Sequence, residues 1–135
     1  MQTILLAAED RLDTGFLARL AEHRTPMAQV EAVHDGYTAV DWLHQHSCTL
    51  AVVAQELPGL SGLEVIRRVR RSNIPTPIVL LCEQANRTLA LRARASGAQE
   101  VLVKPLIRPG VEAVLSWFVP APDGPPGGIT PGNTA

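Results

Sequence analysis

The chain of 135 residues is poor in several things, and each shortage narrows what it can be. Aromatic residues make up only 4%, so the core must be built from Leu, Val, Ile and Ala. There are two cysteines, Cys48 and Cys82. That is too few for a small disulfide-stapled secreted fold, and they are read as reduced thiols. No charge excess exists: the formal net charge is −1. This argues against direct binding of nucleic acid over a general basic surface, while leaving room for a local basic patch. No apolar run approaches the length of a membrane span. The N-terminus has no basic region of the signal-peptide kind, and Glu9 and Asp10 cut short the run that begins at Ile4. These absences place the chain in the cytoplasm, without a membrane partner. Apolar residues are not scarce, at 46%, and the length suits one compact domain.

Composition changes sharply near residue 119. Pro120, Pro122, Pro125, Pro126 and Pro131 alternate with glycines and no apolar period. Such a segment cannot bury enough surface to offset its ordering entropy. The expected layout is a domain over 1–119 and a flexible Pro/Gly-rich tail or linker over 120–135, which either ends the protein or leads to a further domain.

Before residue 119, short apolar runs alternate with helical periodicity. Ile4–Ala7, Leu50–Val53 and Ile78–Leu81 read as buried strands, Ala28–Val33 as an outer one and Val101–Val103 as a further strand. Leu12, Phe16 and Leu20, with Leu17 beside them, predict one face of a helix. Val40 and Leu43, then Leu63, Ile66 and Val69, then Leu89–Ala95, then Val111, Leu115 and Phe118 mark four more helices. Strand and helix thus alternate five times, which implies a doubly wound α/β fold: a parallel sheet with helices on both faces. The first, third and fourth strands, being most apolar, should be central. Ligands of such sheets sit outside the carboxyl ends of the strands.

Three motifs stand out against this pattern. The run Leu57-Pro58-Gly59-Leu60-Ser61-Gly62-Leu63-Glu64 follows the third strand. Lys104-Pro105 follows the fifth, with Gly97-Ala98 before it, and Asp35-Gly36 precedes the second helix. Together they resemble the receiver domain of two-component response regulators, over residues 3 to about 118. The resemblance implies a flavodoxin-like five-stranded sheet of order 2-1-3-4-5. It also implies a site where two acidic residues hold Mg²⁺, an Asp accepts a phosphoryl group, and a Ser or Thr and a Lys answer it. Here those positions fall on Ala8 and Glu9, on Ala54, on Cys82, and on Lys104. Asp10 follows as a loop residue, Glu83 stands beside Cys82, and Val101 occupies the aromatic switch position. A methyl group cannot attack phosphorus or bind a metal, so Mg²⁺ binding is expected to be weak or absent and no other cofactor is expected. Glu56 lies at the loop mouth, and Glu9 or Glu56 is expected to pair with Lys104.

The expectation is a degenerate pseudo-receiver that is not an enzyme. It would act through a protein partner or a fused output domain, with homodimerisation open to it. Arg92, Arg94, Val101 and Trp117 are the candidate interaction face. Two alternatives are a receiver phosphorylated at Glu56 and a flavodoxin-like small-ligand domain. The latter lacks a Gly-rich phosphate loop. His44, His46 and Cys48 are read as solvent-facing rather than metal-ligating, and Arg67, Arg68, Arg70 and Arg71 as a solvated cationic strip.

Overall fold

A computed structural model describes residues 2–119; the Pro/Gly-rich segment lies outside the described residues. The elements alternate strictly. They are β1 (Thr3–Ala7), α1 (Arg11–Arg24), β2 (Gln29–Val33), α2 (Gly36–Gln45), β3 (Leu50–Ala54), α3 (Gly62–Arg71), β4 (Ile78–Cys82), α4 (Arg87–Ser96), β5 (Glu100–Val103) and α5 (Arg108–Phe118). All strand pairs are parallel, in the order β2-β1-β3-β4-β5. The doubly wound α/β expectation holds, with the three most apolar strands in the centre.

Alternation along each strand divides the core in two. Leu5, Ala51, Val53 and Leu80 face the side covered by α2, α3 and α4. Ile4, Leu6, Val52 and Leu81 face α1 and α5. Residues buried on both faces leave β1, β3 and β4 no solvated side, which is why these strands read as continuous apolar runs.

Side-chain caps fix the starts of α1 to α4, whereas α5 has none and carries Pro109 in its first turn. Asp10 Oδ1 accepts from Leu12 N at 2.8 Å, Asp35 Oδ1 from Thr38 N at 2.8 Å, Ser61 Oγ from Glu64 N at 3.2 Å and Asn86 Oδ1 from Leu89 N at 3.0 Å. Each satisfies a backbone donor that the first helical turn leaves free.

One periodicity differs from expectation. Helix α1 buries Thr14, Leu17 and Ala21, whereas Leu12 is 82% exposed. With 3.6 residues per turn, Leu12 precedes Thr14 by slightly over half a turn and lands on the far side. Phe16 and Leu20 are flanking contacts, only partly buried. Small residues let the helix lie close to the sheet, and a pattern read from large residues alone misplaces the face.

The Pro58-Gly59-x-x-Gly62 motif also has a physical basis. Gly59 has φ +83°, a region that side-chain-bearing residues rarely adopt. A Cβ on Gly62 would come within 2.9 Å of the Ala54 carbonyl carbon and 2.7 Å of Leu80 Cδ1. The start of α3 therefore rests directly on the end of β3.

Candidate functional site

Strand register brings the predicted positions to one end of the sheet. Ala7 lies beside Val53, Ala54 beside Leu81, and Cys82 beside Val103, just before Lys104. Above these ends is a cleft of about 120 Å³, floored by Ala8, Ala54 and Leu81 and walled by Glu9, Asp10, Asp13, Glu56, Glu83 and Lys104. The Ala54 side chain is buried, with 7% exposure. Asp10 is used as the α1 cap.

The partners of Lys104 differ from expectation. Its ammonium meets Asp13 Oδ2, and Glu83 Oε1 at 3.0 Å. Neither Glu9 nor Glu56 pairs with it. The reason is local geometry. Capping by Asp10 starts α1 at Arg11, so Asp13 falls in the first turn and is turned inward, with its side chain only 16% exposed. Glu56 instead sits exposed on the loop after β3. Burial acts to lower the Lys104 pKa, but hydrogen bonds to Asp13 and Glu83, together with their charges, leave it above its ordinary 10.5. The cation thus ties the end of β5 to α1 and to the β4–α4 loop.

Cys82 ends β4 and is 4% exposed. It borders a neighbouring cleft of about 310 Å³, shared with Gln55, Glu56, Glu83, Gln84, Asn86 and Leu89. Burial, then the Glu83 charge, pushes its thiol pKa up. Reactive cysteines need the opposite shift. Gln55 turns away from Ala54, as strand alternation predicts, and its Oε1 accepts from Leu63 N at 3.0 Å.

The candidate interaction face is more divided than its sequence positions imply. Arg92 and Trp117 are exposed, Trp117 by 43%. Val101 packs toward the core, and Arg94 pairs with Glu100 at 2.5 Å. Phe118, next to Trp117, packs on the α1–α5 side. His44 Nδ1 lies 2.8 Å from the Val40 carbonyl and His46 Nδ1 3.0 Å from that of Trp42, on which the His46 ring stacks. Among the described residues, no group of three or more His, Cys, Asp or Glu side chains is placed to hold a metal ion. None of their helices is long and apolar enough to cross a membrane.

Two residues escaped the sequence reading. Asp13 could have been found by asking what an Asp10 cap does to the first turn of α1. Arg70 belongs to no solvated strip. Its guanidinium donates to the Gly97 carbonyl at 3.2 and 2.9 Å, to the Ile74 carbonyl at 2.5 Å and to Gln99 Oε1 at 3.0 Å. It fastens the end of α3 to the end of α4, and nothing in its spacing separates it from its arginine neighbours.

Residues 4–115 match the family described as the response regulator receiver domain. The transcriptional regulatory protein TctD of Salmonella typhimurium is 33% identical over 101 residues, which are 75% of this chain and 45% of TctD. The two-component response regulator PhoP of Pseudomonas aeruginosa is 34% identical over 87 residues, 64% of this chain and 39% of PhoP. The chain spans less than half the length of these curated relatives. Among solved structures, the receiver domain of the Francisella response regulator 1452 superposes with a TM-score of 0.78 at 20% identity, covering 86% of this chain and 94% of that one. A Burkholderia pseudomallei response regulator, solved with a phosphorylated aspartic acid, a calcium ion and citrate, gives 0.75 at 24% identity, covering 87% and 66%. The fold, the motif order and these matches agree, and the chain belongs to the response regulator receiver domain family.

Proposed function

We propose that this receiver domain signals without phosphotransfer, as a protein-binding module of a two-component-type or related pathway. One observation carries the reading: Ala54 puts a methyl group on the floor of the cleft, where the family's spacing from Pro58 puts the phosphoacceptor. An acyl phosphate like that of the Burkholderia regulator needs a carboxylate there. The donor set is likewise a poor fit for Mg²⁺, which requires several oxygen ligands. Ala8 and Ala54 supply no side-chain oxygen, and Asp13 and Glu83 are engaged by Lys104. Of the carboxylates lining the cleft, Asp10 caps α1 and Asp13 and Glu83 are engaged by Lys104, which leaves Glu9 and Glu56 as candidate nucleophiles. Two free thiols, Cys48 and Cys82, suit the reducing cytoplasm.

The test is an amide NMR titration with Mg²⁺ and beryllofluoride, a mimic of a phosphoryl group on a carboxylate. An unchanged spectrum is expected. Saturable shifts centred on Glu9, Glu56 and Lys104 would overturn the reading and restore a phosphoryl switch, with Glu56 the first residue to mutate.

A further inference from the structure

Seven of the twelve Lys and Arg residues lie on α3 and α4. Some are spent internally: Arg70 on backbone carbonyls and Gln99, Arg94 on Glu100. Arg67 and Arg68 share the single carboxylate of Glu64. Arg71, Arg87 and Arg92 are exposed. The outward surface of the two helices therefore carries a positive surplus on a chain whose net charge is −1.

The patch is not purely ionic. Leu91, 60% exposed, lies on α4 one turn after Arg87 and beside Arg92. Tyr37 of α2, 54% exposed, lies under the Arg68 guanidinium at 5.6 Å and borders the α3 side of the patch. Helix α4 fully buries only Ala93, so most of its surface faces outward. Tyr and Arg are among the side chains that most often anchor interfaces, and among the described residues Arg71, Arg87 and Arg92 have no ion-pair partner.

We propose that the outward face of α3 and α4 docks an acidic, partly apolar segment of a partner protein. Guanidinium groups pair bidentately with carboxylates, while Leu91 and Tyr37 offer apolar contact. A short protein segment fits better than a nucleic acid. The patch is about one 10-residue helix long, roughly 15 Å. A phosphate backbone running on past the patch would meet Glu56 and Glu83, on the loops leading into α3 and α4, whereas a segment no longer than the patch stays clear of them. The inference deepens the reading of the domain as a binding module and rests on it. Beryllofluoride tests the chemistry of the cleft and arginine variants test this surface, so the two can fail separately.

The experiment measures binding of a synthetic amphipathic helix of Glu and Leu to the full chain, beside short duplex DNA and phosphatidylserine vesicles. Arg71→Glu/Arg92→Glu is compared with Arg19→Glu, an exposed change on α1. The expected result is peptide binding that weakens between about 50 and 300 mM NaCl. It should fall about tenfold or more in the double variant and hold in Arg19→Glu. Circular dichroism shows that each variant is folded. Absent peptide binding, equal binding by the double variant and Arg19→Glu, or tighter binding of DNA or vesicles than of peptide would each overturn the proposal.

Discussion

Replacing Lys104 by Met leaves the nearly sequestered Asp13 carboxylate without its counter-charge, whereas Glu83, 58% exposed, is well solvated on its own. The two halves of the ion triad should therefore differ. Asp13→Asn is expected to cost about 1–3 kcal/mol in urea unfolding, and Glu83→Gln within about 1 kcal/mol. A larger loss for Glu83→Gln would contradict this division. The pH dependence follows from the raised Lys104 pKa. A cation whose folded pKa exceeds its unfolded one stabilises the fold fully below the unfolded value, here 10.5, and loses that contribution as pH rises through the higher folded value. Asp35 behaves oppositely. Hydrogen bonds from the Thr38 hydroxyl and backbone lower its pKa, so its contribution is present above about 3.8 and is lost as pH falls through the lower folded value. Equilibrium unfolding across the alkaline range, in wild type and Lys104→Met, checks the first: wild type alone should lose stability there through this group. Restoring the missing carboxylate is a further test. Ala54→Asp alone should give little response to Mg²⁺ and beryllofluoride, because Ala8 still lacks an oxygen ligand. Ala8→Asp/Ala54→Asp should respond measurably in the same NMR titration.

Elements meet through a few close contacts, and these set their relative firmness. Gly62→Ala would press a methyl group onto the Ala54 carbonyl and Leu80, with backbone on one side that cannot swing away. A destabilisation of about 1–3 kcal/mol is expected, read from the urea midpoint. Helix α3 buries five residues and is firmly seated, whereas α4 buries only Ala93 and depends on its Asn86 cap, the Arg94–Glu100 pair and the Arg70 fastening. Amides of α4 should accordingly exchange with deuterium faster than those of α3, and Arg70→Ala should speed α4 selectively. Uniform acceleration across the sheet would show that Arg70 supports global rather than local stability. None of this was legible in sequence. A pattern of large apolar residues finds helices, but it cannot tell an arginine that caps a neighbouring helix from one that points into water.

For the molecule as a whole, the alternation of buried runs and helical stripes carried the fold class and the three central strands, while the strand order came only with the family resemblance. The end of the sheet that matters was legible too, because the family resemblance, counted from Pro58 and from Lys104-Pro105, assigned Ala54 and Lys104 to one cleft. What spacing could not supply was the direction of side chains on loops and first turns. It therefore nominated Glu9 and Glu56 for Lys104 where the structure uses Asp13 and Glu83. The charge asymmetry was half visible, as runs of arginine, but a net charge near zero concealed that one pair of helices holds most of the cations.

The countercharges of Lys104 have a consequence for timing. A regulator reset by losing a phosphoryl group measures time by the half-life of a bond, and its signal persists after the donor has gone. Here the groups that answer Lys104 are part of the polypeptide and never leave. Under the proposed function, a message through this domain lasts as long as its partner stays attached. Its duration is then governed by abundance and dissociation rate, with no stored covalent record to erase.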